Sequence, residues 1–537
     1  MLLFVFLVSI FFKRIDQNIL ENLDILSIQN AKEHVNILAW YVDVRNPYNN
    51  CERGKECKMS LDDLNKRVQT DLAYLNYGGE NWVRPKIHAE GHVFDVVIVG
   101  GGQSGLGIAF GLLRERVSNI LVIDENKEGW EGPWETYARM VTLRTPKHLT
   151  SIDLGIPSLT FRSWWEAQFG REGWEKIDKI PRREWMNYLR WYRNILQLPV
   201  QNEVKLTLIE PLEKGIHRLH IKRKGTISSS LLARKIILAT GIQGGGEWHV
   251  PAMISDNLPS SLYTHTSSSI DFSSLKGKKI AILGGGASAF DNANFALSQG
   301  VAQAHVYVRR HKMQRINPIR QMEASGMIEH FPALADDEKY AGMAHFFQHN
   351  QPPTNDTFNR ASSWPGFHLH LGSPWLKVAQ KGEQAEVTTP KGRFLFDYLI
   401  ISTGLLTDPK LRPELRLIEK HIARWKDRYK APEAIASPML DAHPYLSYGF
   451  SFISRDTEGE ALLHGIYSFN YAALISCGLS ASALSGMKYG IPRIVKAVTD
   501  ELFLDDRDMN LKDFFEYDTE EFTGEWPVNQ KDPSKVI

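Results

Sequence analysis

An apolar strand running straight into a glycine-rich turn occurs twice in this chain. Phe94 to Val99 (FDVVIV) enters Gly100 to Gly105 (GGGQSG), and Ile280 to Leu283 (IAIL) enters Gly284 to Ala289 (GGGASA). Each turn follows the G-x-G-x-x-G/A pattern. Its first glycine permits a tight turn, its second lets backbone N–H groups approach a pyrophosphate, and its third small residue lets helix pack on strand. A lone match constrains little. Two matches, with Gly284 lying 184 residues beyond Gly100, imply two dinucleotides held by one protein. The fold expected is α/β, built from two dinucleotide-binding Rossmann-like domains.

Two dinucleotides in one chain is the architecture of a flavin enzyme reduced by a nicotinamide. In the first unit the next strand, NILVIDE, ends in Asp124, which lies 24 residues past Gly100. An acid there, near the usual spacing of about 20 residues, holds a ribose hydroxyl. Asp124 is the first choice and Glu125 the alternative. In the second unit the equivalent strand, AHVYVRR, ends in Arg309 and Arg310, with Arg309 lying 25 residues past Gly284. The register matches the first unit, but the charge is reversed. Arginine suits a 2′-phosphate, so NADPH is expected rather than NADH, the competing view being two solvated surface arginines.

At 537 residues the chain suggests two or three domains. Residues 1–58 are read as a non-native or mis-started extension, because Met59 precedes a convincing helical start, SLDDLNKRVQ. The first twelve residues, MLLFVFLVSIFF, are too short for a span of about 20 residues and lack a signal-peptide cleavage site. A cytoplasmic protein without membrane contact follows from that view. The remaining divisions are an N-terminal arm (59–92), a first domain in two parts (93–262 and 401–500), an inserted second domain (263–400) and a tail (501–537). Within the inserted part, the stretch from His311 to about Trp375 reads as a long excursion of the kind that lines or covers a site.

A formal net charge of +1 gives no general attraction to nucleic acid. Three cysteines, Cys51, Cys57 and Cys477, do not describe a disulfide-stapled protein, and the absence of any C-x-x-C removes the dithiol relay of thioredoxin-reductase-like flavoproteins.

The order of first GxGxxG, Gly-x-Trp region, Ala239-Thr240-Gly241, second GxGxxA, basic strand end and Ser402-Thr403-Gly404 resembles the class B flavoprotein monooxygenases over roughly residues 94 to 500. Gly132-Pro133-Trp134 is similar to that family's Gly-Gly-x-Trp, with Pro133 in place of one glycine. Two short pieces, Thr142 to Pro146 and Pro181 to Trp185, look like its amine-hydroxylating branch. That branch's substrate lysine falls at Ala138, beside Arg139, which speaks against an ornithine-like or lysine-like substrate. Of the F-x-G-x-x-x-H-x-x-x-Y/F fingerprint of the flavin-containing branch, only His265 survives, and that branch's asparagine beside the flavin is replaced by Arg144.

The resemblance implies that the second, NADPH-binding domain is inserted in the FAD-binding domain. It implies that NADPH reduces FAD, that reduced FAD forms a flavin hydroperoxide with O2, and that one oxygen atom passes to a small nucleophilic substrate, an amine being one candidate. On this basis Gly100, Gly102, Gln103, Ser104 and Gly105 receive the FAD pyrophosphate, Asp124 its ribose, and Trp134 and Thr145 flank the flavin or ribityl chain. Gly284, Gly286, Ala287 and Ser288 hold the NADPH pyrophosphate, and Arg309 and Arg310 its 2′-phosphate. Arg139 and Arg144 are candidate active-site cations, and no metal is required. Two other readings stay open: an NADPH-dependent flavoprotein reductase serving a quinone or protein acceptor, and a non-catalytic nucleotide-binding regulator.

Overall fold

Helix α1 (Leu61–Tyr74) carries Asp62 and Asp63 in its first turn and buries Leu64, Val68 and Leu72. Acids next to the positive end of the helix dipole and an i, i+4, i+8 apolar stripe account for both its start and its packed face. The computed structural model describes residues 59–149, 152–223 and 229–525; the extension expected over 1–58, with Cys51 and Cys57, lies outside the described residues.

The first glycine turn lies in a mixed sheet. A short strand β1 (Ile87–His88) pairs antiparallel with β2 (Gly91–Val99), which leads through the turn into helix α2 (Gln103–Arg114) and on to β3 (Ile120–Ile123). Helices α3 (Phe161–Lys176) and α4 (Arg182–Ile195) follow, then strands β4 (Val200–Gln201), β5 (Val204–Pro211), β6 (His217–Arg223) and β7 (Ser229–Gly241). The sheet order is β4-β3-β2-β7-β6-β5, with β2 parallel to both β3 and β7. Residues Val96–Val99 are buried because strands flank β2 on both sides, as their continuous apolar run predicts. The aromatic spacing of α4 is core: Trp185, Tyr188 and Tyr192 are fully buried, and Phe161 and Trp164 pack against Tyr188.

After β7 the chain passes through β8 (Gly246–Trp248) into a second sheet. That sheet comprises β9 (Tyr263–His265), β10 (Lys279–Leu283), β11 (Gln303–Val308), β12 (Phe367–Leu371) and the later β16 (Tyr398–Ile401), in the order β12-β11-β10-β16-β9. All its pairings are parallel. Helix α5 (Ala287–Ser298) springs from the second glycine turn. The excursion after β11 includes helices α6 (Asp336–His349) and α7 (Asn355–Ser362). Strands β13 (Lys377–Lys381), β14 (Gln384–Thr389) and β15 (Gly392–Phe396) form an antiparallel meander, and the chain returns by β17 (Leu405–Thr407). Outgoing β8 and returning β17 pair antiparallel, so the two crossings between sheets run side by side.

Strand β18 (Ile466–Asn470) then rejoins the first sheet beside β7, and the long helix α8 (Leu484–Asp505) packs on α2. A Cβ on Gly107 would lie 2.5 Å from Ile491 Cδ1, so that glycine sets the closeness of the two helices. Small residues of α8 serve a different neighbour. A Cβ on Gly486 would lie 2.4 Å from the Leu479 carbonyl oxygen, and one on Gly490 would lie 2.3 Å from that of Ser480, so they bring the helix onto its own preceding turn. No helix among the described residues is long and apolar enough to cross a membrane.

Candidate active site

Both glycine turns close in the same way. The Gly100 N–H donates to the Ile123 carbonyl at 2.7 Å, and the Gly284 N–H donates to the Tyr307 carbonyl at 3.0 Å. Gly100 (φ 112°) and Gly284 (φ 148°) are left-handed, and a Cβ on either would lie 2.4 Å from a carbonyl oxygen, of Ala239 and Ser402 respectively. Backbone geometry forbids a side chain there. The middle glycines differ. Gly286 has open space where a Cβ would be, and the nearest atom at Gly102 is Gly132 Cα at 3.8 Å. Each turn thus keeps a bare backbone approach at the N-terminus of α2 or α5, where N–H groups and the helix dipole accept an anion. That cradle fits a pyrophosphate at both places.

Around the first turn, Trp185 Nε1–H donates to Gln103 Oε1 at 3.1 Å, and Ser104 Oγ lies 3.6 Å from Met487 Sδ. Asp124 is buried, but both its oxygens serve the local backbone. Oδ2 accepts the Gly101 N–H at 2.8 Å, and Oδ1 accepts the Asn126 N–H at 2.8 Å. Burial pushes its carboxyl upward, while those donors draw it back. Glu125 stands at the rim, paired with Lys205 at 2.8 Å. Trp134 is buried and Thr145 half-buried. Behind the turn lies a cavity of about 200 Å³ lined by Gly101, Leu106, Gly129, Glu131 and Arg193. Arg193 donates to Glu131 there at 2.8 Å.

In the second unit Ala287 is buried and Ser288 exposed at the start of α5. Arg309 is exposed at the end of β11, whereas Arg310 donates to the Gln348 carbonyl at 2.9 Å.

Arg139 and Arg144 both reach across to the second unit. Arg139 donates to the carbonyls of Thr266 (2.5 Å), Ser268 (2.9 Å) and Tyr137 (3.0 Å), and its guanidinium lies 5.3 Å from the centre of the Phe272 ring. Burial, with the nearby Arg182 charge, lowers its pKa to about 10. Arg144 Nη2 donates to Asp291 Oδ2 at 2.5 Å, a carboxylate on the second turn of α5. Burial raises the Asp291 pKa and Arg144 lowers it. Next to it, Asn292 donates to Thr266 Oγ1 and to the Ser288 carbonyl, both at 2.8 Å. The excursion supplies the outer side of this junction: Arg320 donates to the Arg144 carbonyl at 3.3 Å, and Thr357 Oγ1 lies 3.5 Å from Asp291 Oδ1. His265 stacks on Trp248 with ring centres 5.0 Å apart, and burial lowers its pKa to about 4.

Asp291, Asn292, Thr357 and Trp185 did not emerge from the sequence as site residues. A signal existed for the first two, since Asp291-Asn292 interrupts an otherwise small and apolar helix, ASAFDNANFALS. Three buried polar atoms at the junction have no protein partner: Arg144 Nε, Asn292 Oδ1 and His265 Nε2. Most buried polar atoms in folded proteins are hydrogen-bonded, so these three mark the junction as a candidate ligand site. Among the described residues no group of histidine, cysteine and acidic side chains is arranged to hold a metal.

Residues 97–335 match the family described as pyridine nucleotide-disulphide oxidoreductase. The chain is 58% identical, over 470 residues, to the FAD-dependent urate hydroxylase of Xanthomonas campestris pv. campestris, covering 87% of this chain and 98% of that enzyme. Among solved structures, the ornithine hydroxylase of Pseudomonas aeruginosa superposes with a TM-score of 0.61 at 16% identity, over 76% of this chain and all of that one. The cadaverine monooxygenase of Erwinia amylovora, solved with FAD bound, superposes with a TM-score of 0.57 at 15% identity, over 77% of this chain and 96% of that one. At these identities the two structures speak for the fold.

Proposed function

This chain belongs to the class B flavoprotein monooxygenases, in the group that includes the urate hydroxylase of Xanthomonas campestris, and on that premise we propose that its substrate is urate. It is a FAD-dependent oxidoreductase that transfers one oxygen atom, and the second glycine turn with Arg309 and Arg310 at its strand end supports NADPH as the reductant. The observation that carries the choice of urate is 58% identity across 98% of the related enzyme's length. Urate is a small nucleophilic heterocycle, so it keeps the substrate class expected from the sequence while replacing the amine drawn from two short segments. A cytoplasmic location, where NADPH is abundant, goes with this reading.

Reduced FAD supplies the activated oxygen; the protein binds, orients and shields. The turn from Gly100 to Gly105 would take the FAD pyrophosphate, with Gly102 as the open face and Gln103 fixed by Trp185. Asp124, or its more exposed neighbour Glu125, which pairs with Lys205 and Gln243, would meet the adenosine ribose. Gly284, Gly286, Ala287 and Ser288 would take the NADPH pyrophosphate, and exposed Arg309 with Arg310 its 2′-phosphate. Arg139 acts as a positioning residue: a guanidinium spent on three carbonyls orients one unit on the other and leaves few donors for a reacting atom. Buried Trp134 and half-buried Thr145 help exclude water near the flavin.

The test is to supply purified, FAD-loaded protein with NADPH, O2 and urate. We expect loss of urate and oxidation of NADPH in equal amounts. NADPH oxidation that releases peroxide and leaves urate untouched would overturn the urate assignment and favour a reductase.

A further inference from the structure

The junction between the two units holds a guanidinium only partly used. Arg144 comes from the loop beyond Trp134, and its Nη2 is engaged by Asp291 from α5 at 2.5 Å. Its Nε–H is buried and has no acceptor. One residue beyond Asp291, Asn292 is buried and its Oδ1 has no donor, although its amide nitrogen is tied to Thr266 and Ser288. A buried donor without an acceptor is costly, and at a candidate site a bound ligand is the partner that completes it.

The chemistry left open is specific. It needs an acceptor, preferably anionic, for a charge-assisted bond from guanidinium, and an N–H for the Asn292 carbonyl oxygen. Urate offers both on one planar edge, where carbonyl oxygens alternate with N–H groups and the ring carries a negative charge at neutral pH. The oxidised flavin ring and the oxidised or reduced nicotinamide ring carry no negative charge, so they gain less from a guanidinium; the reduced flavin is anionic along its N1–C2 edge, and the FAD content of the variants distinguishes it from urate as the partner of Arg144. The carboxylate of Asp291 is itself buried, at 6% exposure, and so holds the arginine without being drawn off into solvent. Thr357, from the excursion, stands on its far side.

We infer that Arg144 is the residue that recognises the urate anion, through its free Nε–H, with Asp291 as the positioning residue that aims the guanidinium and Asn292 Oδ1 as the acceptor for a urate N–H. The inference rests on the urate reading above. It adds to that reading the source of selectivity for an anionic purine, from residues contributed by both nucleotide-binding units.

The experiment is calorimetric titration of urate, and separately of NADP+, into full-length FAD-loaded protein, for the wild type and for Arg144→Gln, Arg144→Lys, Asn292→Leu and Asp291→Asn. For Arg144→Gln we expect urate affinity to fall by about tenfold or more, the size of a lost charged hydrogen bond, with NADP+ affinity and FAD content retained. Arg144→Lys keeps a charge for Asp291 but lacks the planar fork, so it too should lose urate affinity; it carries the test if Arg144→Gln does not load FAD. Asp291→Asn, assayed at steady state, should raise KM for urate more than it lowers kcat. Wild-type protein that binds urate, with unchanged affinity in both arginine variants, would overturn this inference alone. Loss of NADP+ binding with urate binding intact would assign Arg144 to the nucleotide and also overturn it. Wild-type protein that neither binds nor consumes urate would overturn both readings.

Discussion

The carboxylate of Asp124 accepts the backbone N–H of Gly101 at 2.8 Å, so the acid that closes β3 holds the glycine turn itself. Its other oxygen accepts from the Asn126 backbone and side chain at 2.8 and 3.0 Å. The turn is therefore braced before any nucleotide arrives. Replacing Asp124 with Ala removes these bonds and leaves a buried N–H unmet, which costs about 1–3 kcal/mol. We expect a lower Tm in the FAD-free protein. Glu125→Gln should leave that Tm unchanged and weaken FAD by about fivefold to tenfold, the scale of one partly exposed hydrogen bond. Fluorescence titration of FAD into both variants checks the division of labour.

The glycines of each turn separate into two kinds. Gly286→Ala puts a methyl group where the protein has no atom within 4 Å and φ is −83°, so the variant should fold with unaltered Tm. It should nonetheless raise KM for NADPH by about tenfold or more, because the methyl occupies the pyrophosphate's approach. Gly284→Ala should fail differently, through misfolding, since its Cβ meets the Ser402 carbonyl. Thermal melts beside NADPH kinetics distinguish the two failures.

Replacing Arg309 and Arg310 together with Ala should cut the preference for NADPH over NADH by about tenfold to a hundredfold, as expected for lost charged hydrogen bonds. The ratio of kcat/KM for the two cofactors is the measurement. An unchanged ratio would return both arginines to the solvated surface.

Arg139→Ala removes three carbonyl bonds, two of which tie the 137–139 loop to Thr266 and Ser268 while the third, to Tyr137, braces the loop itself. Misplacing one reacting ring against another by about 1 Å can slow a step by roughly a hundredfold. We expect slower reduction of FAD by NADPH in anaerobic stopped-flow measurements, with FAD content retained.

Acid lability should follow His217 and His443. Each is buried and donates one ring N–H to a carbonyl, of His464 and Met439 respectively, leaving the other ring nitrogen buried without a partner. Burial lowers both pKa values to about 4 from an ordinary 6.5. Above pH 6.5 these rings are neutral in the folded and unfolded chain alike and add no pH dependence. As the pH falls from 6.5 towards 4, the unfolded chain binds protons that the folded one refuses, so stability is lost across that window and the loss levels off below it. Tm measured against pH should show this fall, and His443→Gln should shallow it.

Local chemistry made much of this protein legible in the amino-acid order alone. Strand, glycine turn and helix are consecutive in the chain, so their pattern announced both nucleotide folds, and the equivalent strand ends drew attention to Asp124, Glu125, Arg309 and Arg310. The return strand β18 and the paired crossings β8 and β17 complete the inserted arrangement that the motif order implies. What the amino-acid order could not supply was direction and partnership. Asp124 and Glu125 are neighbours of like charge, and only packing turned one onto the glycine turn and left the other at the rim. Arg139 meets Thr266 across 127 positions and Arg144 meets Asp291 across 147, contacts that no local propensity encodes. Such pairs exist because two sheets distant in sequence dock through side chains such as these, and burial at that seam decides which charges are matched and which are left open for a ligand.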